Sequence, residues 1–140
     1  MNQTLIADRQ APYLPVPAFV RRVIGPLIMR FGVVPTLVVT GRSSGRQRSV
    51  PVEPIEVNGA QYIVSTQGLS HWARNLTAAG RGELRQRGAV EAFVAVTVTG
   101  EERDVVVAAF RDRASARVKK VFEQLPEAGD HPTFRVDRVG

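Results

Sequence analysis

Short apolar segments rich in β-branched residues, separated by turn residues, fill most of the chain after residue 33 and predict strands. Asn58-Gly59, between two of these segments, is typical of a tight β-hairpin turn. Pro54 falls inside another segment and indicates an edge position or a bulge there. We expect about six strands, the number that a small closed or half-closed barrel requires, at 36–40, 49–57, 61–66, 82–87, 91–99 and 133–139.

A helical repeat of apolar residues appears in the remaining segments. Residues 18–31 carry one apolar stripe, which Pro26 is expected to kink; this helix either packs on the domain core or rests on a membrane surface. Ser70 is expected to cap a second helix that ends at Gly80. Segments 102–113 and 116–124 predict a helix or helix pair that closes one end of the barrel. We expect residues 1–17 to form a polar, proline-containing arm and residues 18–140 to form a single domain.

Composition narrows the classes of protein to consider. The net charge of +6 and a pI near 11.0 favour an acidic partner, such as a phosphorylated cofactor, nucleic acid or an anionic membrane. The chain has no cysteine and two histidines, which excludes a disulfide framework and a thiol nucleophile and disfavours a zinc or iron site. No apolar segment opens the chain or reaches the length of a membrane span, so we expect a cytoplasmic protein.

The segment 40–51, T-G-R-S-S-G-R-Q-R-S-V-P, concentrates positive charge in one turn between two strands. Gly41 and Gly45 are expected to take positive φ, and Arg42, Arg46 and Arg48 present guanidinium groups suited to phosphate or carboxylate oxygens. The segment therefore predicts either an anion-binding hairpin or an ordinary solvated basic loop.

The helix at 70–79 carries the second cluster of interest. Trp72, Asn75, Leu76 and Ala79 share one face by their spacing. An amide beside a buried tryptophan needs a partner, which is either a backbone loop or a bound molecule. The preceding loop, S-T-Q-G at 65–68, is either an ordinary strand-to-helix turn or a place where a flat ligand approaches the backbone. No nucleophile elbow, Walker loop or dinucleotide fingerprint is present, so a bound cofactor would perform the chemistry of an enzyme.

These motifs in this order resemble the deazaflavin-dependent nitroreductase family, actinobacterial split β-barrel proteins that use coenzyme F-420. The resemblance rests on T-G-R-x-S-G-x-x-R-x-x-P at 40–51, on Asn58-Gly59 and on W-x-x-N-L at 72–76, and it covers about residues 34–98. The ending D-H-P at 130–132 followed by Phe134 is also similar to one subgroup. The resemblance implies a mainly β (α+β) fold, a six-stranded split β-barrel with an N-terminal helix and flanking helices.

The resemblance also implies an oxidoreductase that passes a hydride from the reduced coenzyme to an unsaturated, quinone-like or nitro acceptor. The Ser65 hydroxyl is a candidate for orienting that acceptor. Residues implied to bind the phosphate, the oligoglutamate tail or the deazaflavin ring are Arg42, Ser44, Arg46, Arg48, Val50, Pro51, Ser65, Thr66, Gln67, Trp72 and Asn75.

The chain departs from the family pattern in two ways. Thr66-Gln67-Gly68 stands where members often carry Lys-Gly-Gly, which removes one cation. The only tyrosines are Tyr13 and Tyr62, and Glu53 stands where an aromatic residue is expected, so nitroimidazole reduction is not expected. Three alternatives stay open. The protein could be a non-catalytic carrier of the coenzyme or of a lipid-like molecule, it could bind FMN in place of the deazaflavin, and it could form a homodimer. The scarcity of aromatic residues disfavours nucleic-acid binding.

Overall fold

The computed structural model describes residues 34–139. The predicted arm at 1–17, the predicted helix at 18–31 with its possible membrane contact, and Tyr13 lie outside the described residues.

A single antiparallel sheet organises the described part of the chain. Its strand order is β2-β1-β5-β6-β7-β4-β3. The strands are β1 Thr36–Thr40, β2 Gln47–Pro51, β3 Ile55–Val57, β4 Ala60–Val64, β5 Arg81–Gln86, β6 Ala89–Val98 and β7 Thr133–Arg138.

The chain between β2 and β3 forces this sheet to curl. The two strands lie at opposite ends of the strand order, yet only three residues separate Pro51 from Ile55. Seven strands laid flat would put the edges about 29 Å apart, whereas four Cα steps reach at most about 15 Å. The sheet must therefore bend round until its edges approach each other, which gives the predicted split β-barrel.

The number of strands differs from the expectation, because the predicted strand 49–57 is in fact two strands. Pro54 lies between them in the segment 52–54 and has no N–H to donate to a ladder. The edge position that Pro54 indicated is confirmed for both strands, since β2 and β3 are the terminal strands of the sheet. Seven strands result instead of six.

The hairpin predicted at Asn58-Gly59 is confirmed. Both residues have positive φ, 52° and 82°, as a two-residue turn of type I′ demands. The turn joins β3 to β4 with Val57 paired to Ala60.

Within residues 34–139, three α-helices accompany the sheet: α1 His71–Ala79, α2 Gly100–Arg113 and α3 Ala116–Gln124, followed by a short 3-10 helix at Ala128–Asp130. Helix α1 has the predicted ends. The Ser70 side chain accepts a hydrogen bond from the Ala73 N–H, and Gly80 ends the helix at φ 71°. Helices α2 and α3 confirm the helix pair.

Two apolar clusters lie on opposite sides of the curled sheet. Leu37, Phe93 and Phe134, from three different strands, fill the interior, where α1 adds Ala73 and Leu76. Alternation along β4 sends Ile63 into this interior and Tyr62 and Val64 to the outer face.

The outer cluster corrects the expected place of α2 and α3. They do not close a barrel end; they cover the outer face of β3 and β4 with Val106, Val107 and Phe110 of α2 and Phe122 of α3. Val105 of the same helix is 44% exposed. The sheet has two apolar faces in this region, and the helix pair buries the outer one.

Candidate functional site

The arginine-rich turn, residues 41–46 between β1 and β2, is closed by its own backbone. The Gly41 N–H donates to the Arg46 carbonyl at 2.7 Å, and the Gly45 N–H donates to the Gly41 carbonyl at 3.0 Å. Gly45 has φ 72° as expected, but Gly41 is not among the positive-φ residues. A Cβ at Gly41 would be crowded instead, since it would lie 3.3 Å from the Arg46 carbonyl oxygen and 2.9 Å from Ser44 Oγ, which would have to turn away.

A pair of hydrogen bonds joins this turn to α1. The Asn75 Oδ1 accepts from the Arg42 backbone N–H at 3.1 Å and from Arg42 Nη1 at 2.7 Å. Arg42 also reaches the first residue of the helix, with Nη1 3.4 Å from the His71 carbonyl and Nη2 3.4 Å from His71 Nδ1. The partner of the Asn75 amide is therefore the neighbouring loop and its arginine. The arginine-rich turn and the tryptophan-bearing helix are adjacent, as the resemblance required.

The other two arginines of the segment 40–51 lie at the end of the turn and in β2. Arg46 and Arg48 are exposed, and their guanidinium groups make no hydrogen bond or ion pair that the structure records among residues 34–139. Arg48 pairs with Val39, and Val50 pairs with Leu37. Because Val39 and Leu37 point into the interior cluster, the side chains of Arg48 and Val50 lie on the same face, which α1 covers. Pro51, paired with Thr36, lies on the opposite face.

Ser44 completes the turn. It is exposed, and its Oγ accepts from the Arg46 N–H at 3.1 Å. This hydrogen bond fixes the hydroxyl within the turn.

The loop at 65–68 leaves β4 and leads into α1. Ser65 is fully buried; its Oγ donates to the Gly68 carbonyl at 2.5 Å and lies 3.0 Å from Ser70 Oγ. Thr66 and Gln67 are partly exposed, and Gly68 takes φ 92°. The Ser65 hydroxyl is thus engaged in shaping the loop, and the two residues after it form its accessible surface.

Trp72 combines a core contact with an exposed edge. Its ring packs against the interior cluster, with its centroid 6.0 Å from that of Phe134. The side chain is nonetheless only partly buried. Since Trp72 and Asn75 both belong to α1, the ring lies one turn from the contact with Arg42.

Two histidines near these elements were not predicted as site residues. His71 contacts Arg42 as described above. His131 is fully buried, with Nδ1 3.0 Å from the carbonyl oxygen of Ser65 and Nε2 2.7 Å from that of Leu125. In the sequence, only the resemblance of residues 130–134 to one subgroup of the family pointed to His131. A single histidine in a short segment does not by itself predict burial.

Tyr62 lies away from these elements, on the outer face of β4 beneath α2. Its hydroxyl donates to Glu102 Oε2 at 2.7 Å. This hydrogen bond, and then burial, raise the pKa of Tyr62 above its ordinary value of 10.0. Glu102 also pairs with Arg135 at 3.4 Å. No tyrosine among residues 34–139 faces the arginine-rich turn.

Fold and site together define a small split β-barrel protein with an arginine-rich turn fixed to a capped helix. The chain belongs to the F420H(2)-dependent quinone reductase family, whose model matches residues 16–126. This match confirms the resemblance to deazaflavin-dependent reductases. It names the reduced deazaflavin coenzyme and gives no support to FMN.

Solved structures share the fold. An F420-H2 dependent reductase, FDR-A, is 23% identical at a TM-score of 0.52, over 74% of this chain and 92% of that one. The heme storage protein HutZ from Vibrio cholerae is 16% identical at a TM-score of 0.57, over 82% and 89%. A heme-binding protein from Mycobacterium smegmatis is 16% identical at 0.55, over 88% and 52%. Among curated proteins, none matches the chain significantly.

Across residues 34–139, every helix is too short or too polar to cross a lipid bilayer.

Proposed function

We propose that this protein binds reduced coenzyme F-420 and catalyses hydride transfer to a quinone-like or otherwise unsaturated acceptor. The observation that carries the proposal is the bond between Arg42 and Asn75. It brings the arginine-rich turn, the start of α1 and the loop at 65–68 to one end of the barrel, where a ligand with a flat ring and an anionic tail can touch all three.

The charged part of the ligand is assigned to the turn. Arg46 and Arg48 carry uncommitted guanidinium groups, which form strong, often bidentate hydrogen bonds with phosphate and carboxylate oxygens. The Ser44 hydroxyl, held by the Arg46 backbone N–H, adds a third polar group to the same segment. Arg42, already bound to Asn75, contributes charge and fixes the turn to α1. Such a donor set fits a phosphate followed by an oligoglutamate tail.

The ring is assigned to the apolar side of the same end. Thr66 and Gln67 would border it after the Ser65 turn, and Trp72 would form a wall. Val50 would line the path from the ring to the phosphate, and Pro51, whose side chain lies on the opposite face of the sheet, would do so only with its backbone. The reduced deazaflavin supplies the hydride when bound. The protein's part is to hold the acceptor in line with the ring and to exclude water, and positioning of this kind provides much of the rate enhancement in such reactions.

Titration of the coenzyme, followed by quenching of deazaflavin fluorescence, tests the charged contacts. We expect saturable micromolar binding, weakened about 5–10-fold in each of Arg46→Ala and Arg48→Ala, since an exposed charge-assisted hydrogen bond contributes about 1 kcal/mol. Arg117→Ala on α3 removes the same charge from an exposed position elsewhere and should bind normally. Equal weakening in all three variants, or no saturable binding to the unsubstituted protein, would refute the assignment. FMN in a parallel titration should bind more weakly.

A non-catalytic carrier of the coenzyme is the second candidate. It is favoured by the position of Tyr62, whose hydroxyl is engaged with Glu102 on the far side of the sheet and offers no phenol to an acceptor. Reduced coenzyme mixed with the protein and a panel of quinones, enones and nitro compounds separates the candidates. Oxidation faster than without protein supports the reductase; binding without oxidation across the panel supports the carrier.

A further inference from the structure

His131 occupies an unusual position for a histidine. It is fully buried, and both ring nitrogens lie within hydrogen-bond distance of carbonyl oxygens, Nδ1 3.0 Å from Ser65 and Nε2 2.7 Å from Leu125. Carbonyl oxygens only accept hydrogen bonds, whereas a neutral imidazole has one N–H and one lone pair. The neutral ring would therefore leave a lone pair facing an oxygen in a site closed to water. Both contacts are satisfied together only when both nitrogens carry protons.

The surroundings supply two stabilising influences for a positive ring. Leu125 caps the C-terminus of α3, where the helix dipole places partial negative charge. The ring of Phe122 lies against the imidazole, with the centroids 4.4 Å apart and the planes at 32°, and an aromatic face attracts a cation. Two influences oppose the charge: full burial, which disfavours an ion, and the Arg111 guanidinium, which lies 4.8 Å from the centroid of the same phenyl ring. Among the described residues, no carboxylate is recorded in contact with the imidazole.

The two hydrogen bonds of His131 connect distant parts of the chain. Leu125 belongs to the helix pair on the outer face of the sheet, and Ser65 begins the loop that leads into α1. The Ser65 N–H also donates to the Pro132 carbonyl at 2.8 Å, so both backbone groups of Ser65 are held by the segment 131–132. The imidazole is therefore one of the groups that hold the start of the loop at 65–68.

We propose that His131 is a positioning residue, a buried imidazolium whose Nδ1–H holds the Ser65 carbonyl and thereby sets the loop at 65–68. The loop is the one assigned above to border the deazaflavin, so the binding consequence rests on the proposed function, whereas the protonation state and the loop order do not. Thr66 and Gln67 directly follow Ser65, the residue whose carbonyl His131 holds. The imidazole itself does not contact the ligand.

The protonation state is tested on the unsubstituted protein by ¹⁵N NMR of the histidine rings at neutral pH. The chain has two histidines, so a His71→Gln sample assigns the signals. We expect His131 to show two protonated ring nitrogens with slowly exchanging N–H protons. A neutral pattern, with one nitrogen protonated and one carrying a lone pair, would overturn the imidazolium.

Matched variants test the positioning. An asparagine amide can replace Nδ1, and a glutamine amide can replace Nε2. His131→Asn should keep the Ser65 contact and His131→Gln the Leu125 contact. We expect amide exchange at Gly68 and Ser70 to remain slow in His131→Asn and to become at least tenfold faster in His131→Gln. Coenzyme affinity should stay within about threefold in the first and fall about tenfold in the second, the loss of one hydrogen bond.

The two kinds of failure are distinguishable. Equal effects of both variants on loop exchange would reduce His131 to a packing residue and overturn the proposal. If the unsubstituted protein binds no coenzyme, the proposed function fails, while the ring spectrum and the exchange rates still decide the role of His131.

Discussion

The contact between Asn75 and Arg42 offers the sharpest test of how the site is assembled. In Asn75→Leu the side chain keeps nearly the same volume but loses the oxygen that accepts two hydrogen bonds, at 3.1 Å and 2.7 Å. The backbone bond is partly buried, and a bond of this kind contributes about 1 kcal/mol. The bond to the exposed guanidinium is screened by water and adds about another 1 kcal/mol.

We therefore expect Asn75→Leu to lower the free energy of unfolding by about 2 kcal/mol, or Tm by about 6–8 °C for a domain of this size. Urea unfolding followed by tryptophan fluorescence measures this change, because Trp72 is the only tryptophan and lies on the same helix. As a control, Thr77→Ser changes an exposed residue of α1 but keeps the hydroxyl that donates to the Ala73 carbonyl at 2.9 Å, so it should alter stability by no more than about 0.5 kcal/mol.

Asn75→Asp provides the matched variant at the same position. It keeps the acceptor oxygen and adds a negative charge beside Arg42, so stability should stay near that of the unsubstituted protein. Coenzyme binding should nonetheless weaken about tenfold, because the charge of the turn falls. If Asn75→Leu unfolded at the same urea concentration as the unsubstituted protein, the contact would not hold the turn to α1. If Asn75→Asp bound the coenzyme more tightly, the turn would not be the anion site.

Two further predictions concern hydroxyl groups. Folding raises the pKa of Tyr62, so it favours the protonated phenol; this contribution is complete below pH 10.0 and is lost as the pH rises above that value. Tyr62→Phe should cost about 1 kcal/mol near neutral pH, and urea midpoints at higher pH should show the two proteins converging; a difference that grew with pH would contradict the reasoning. Ser65→Ala removes the hydroxyl that donates to Gly68 and should lower stability and coenzyme affinity while leaving kcat at saturating coenzyme within about twofold. A large fall in kcat with unchanged affinity would instead assign the Ser65 hydroxyl to the acceptor.

The features predicted correctly from the sequence are those decided by local chemistry. The Asn58-Gly59 turn, the Ser70 cap and the Gly80 end of α1 each depend on a few adjacent residues whose backbone preferences agree. The adjacency of the arginine-rich turn and α1 followed from a resemblance, because no local signal relates positions 33 residues apart.

The errors concern features that long-range packing decides. The pattern of apolar residues along 49–57 does not show that the segment divides into two strands at opposite edges of the sheet, since each half alone is typical of a strand. Helices α2 and α3 lie on the outer face because they bury Tyr62 and Val64 there. In the sequence, these two residues show only the ordinary alternation of side chains along a strand and do not indicate that helices cover them. The need to satisfy a buried amide limited the partner of Asn75 to a backbone loop or a bound molecule. The sequence alone could not choose between them, and the structure shows that the partner is the loop.

The segment 52–54 between β2 and β3 also has a consequence for solubility. Edge strands expose unpaired N–H and C=O groups that can recruit other chains into aggregates. Here Pro51 ends β2 and Pro54 precedes β3, so each edge lacks an amide donor near the split, and Arg48 adds charge to the longer edge. The prolines that flank the short connection would therefore discourage the two edges of the barrel from pairing with those of a neighbour.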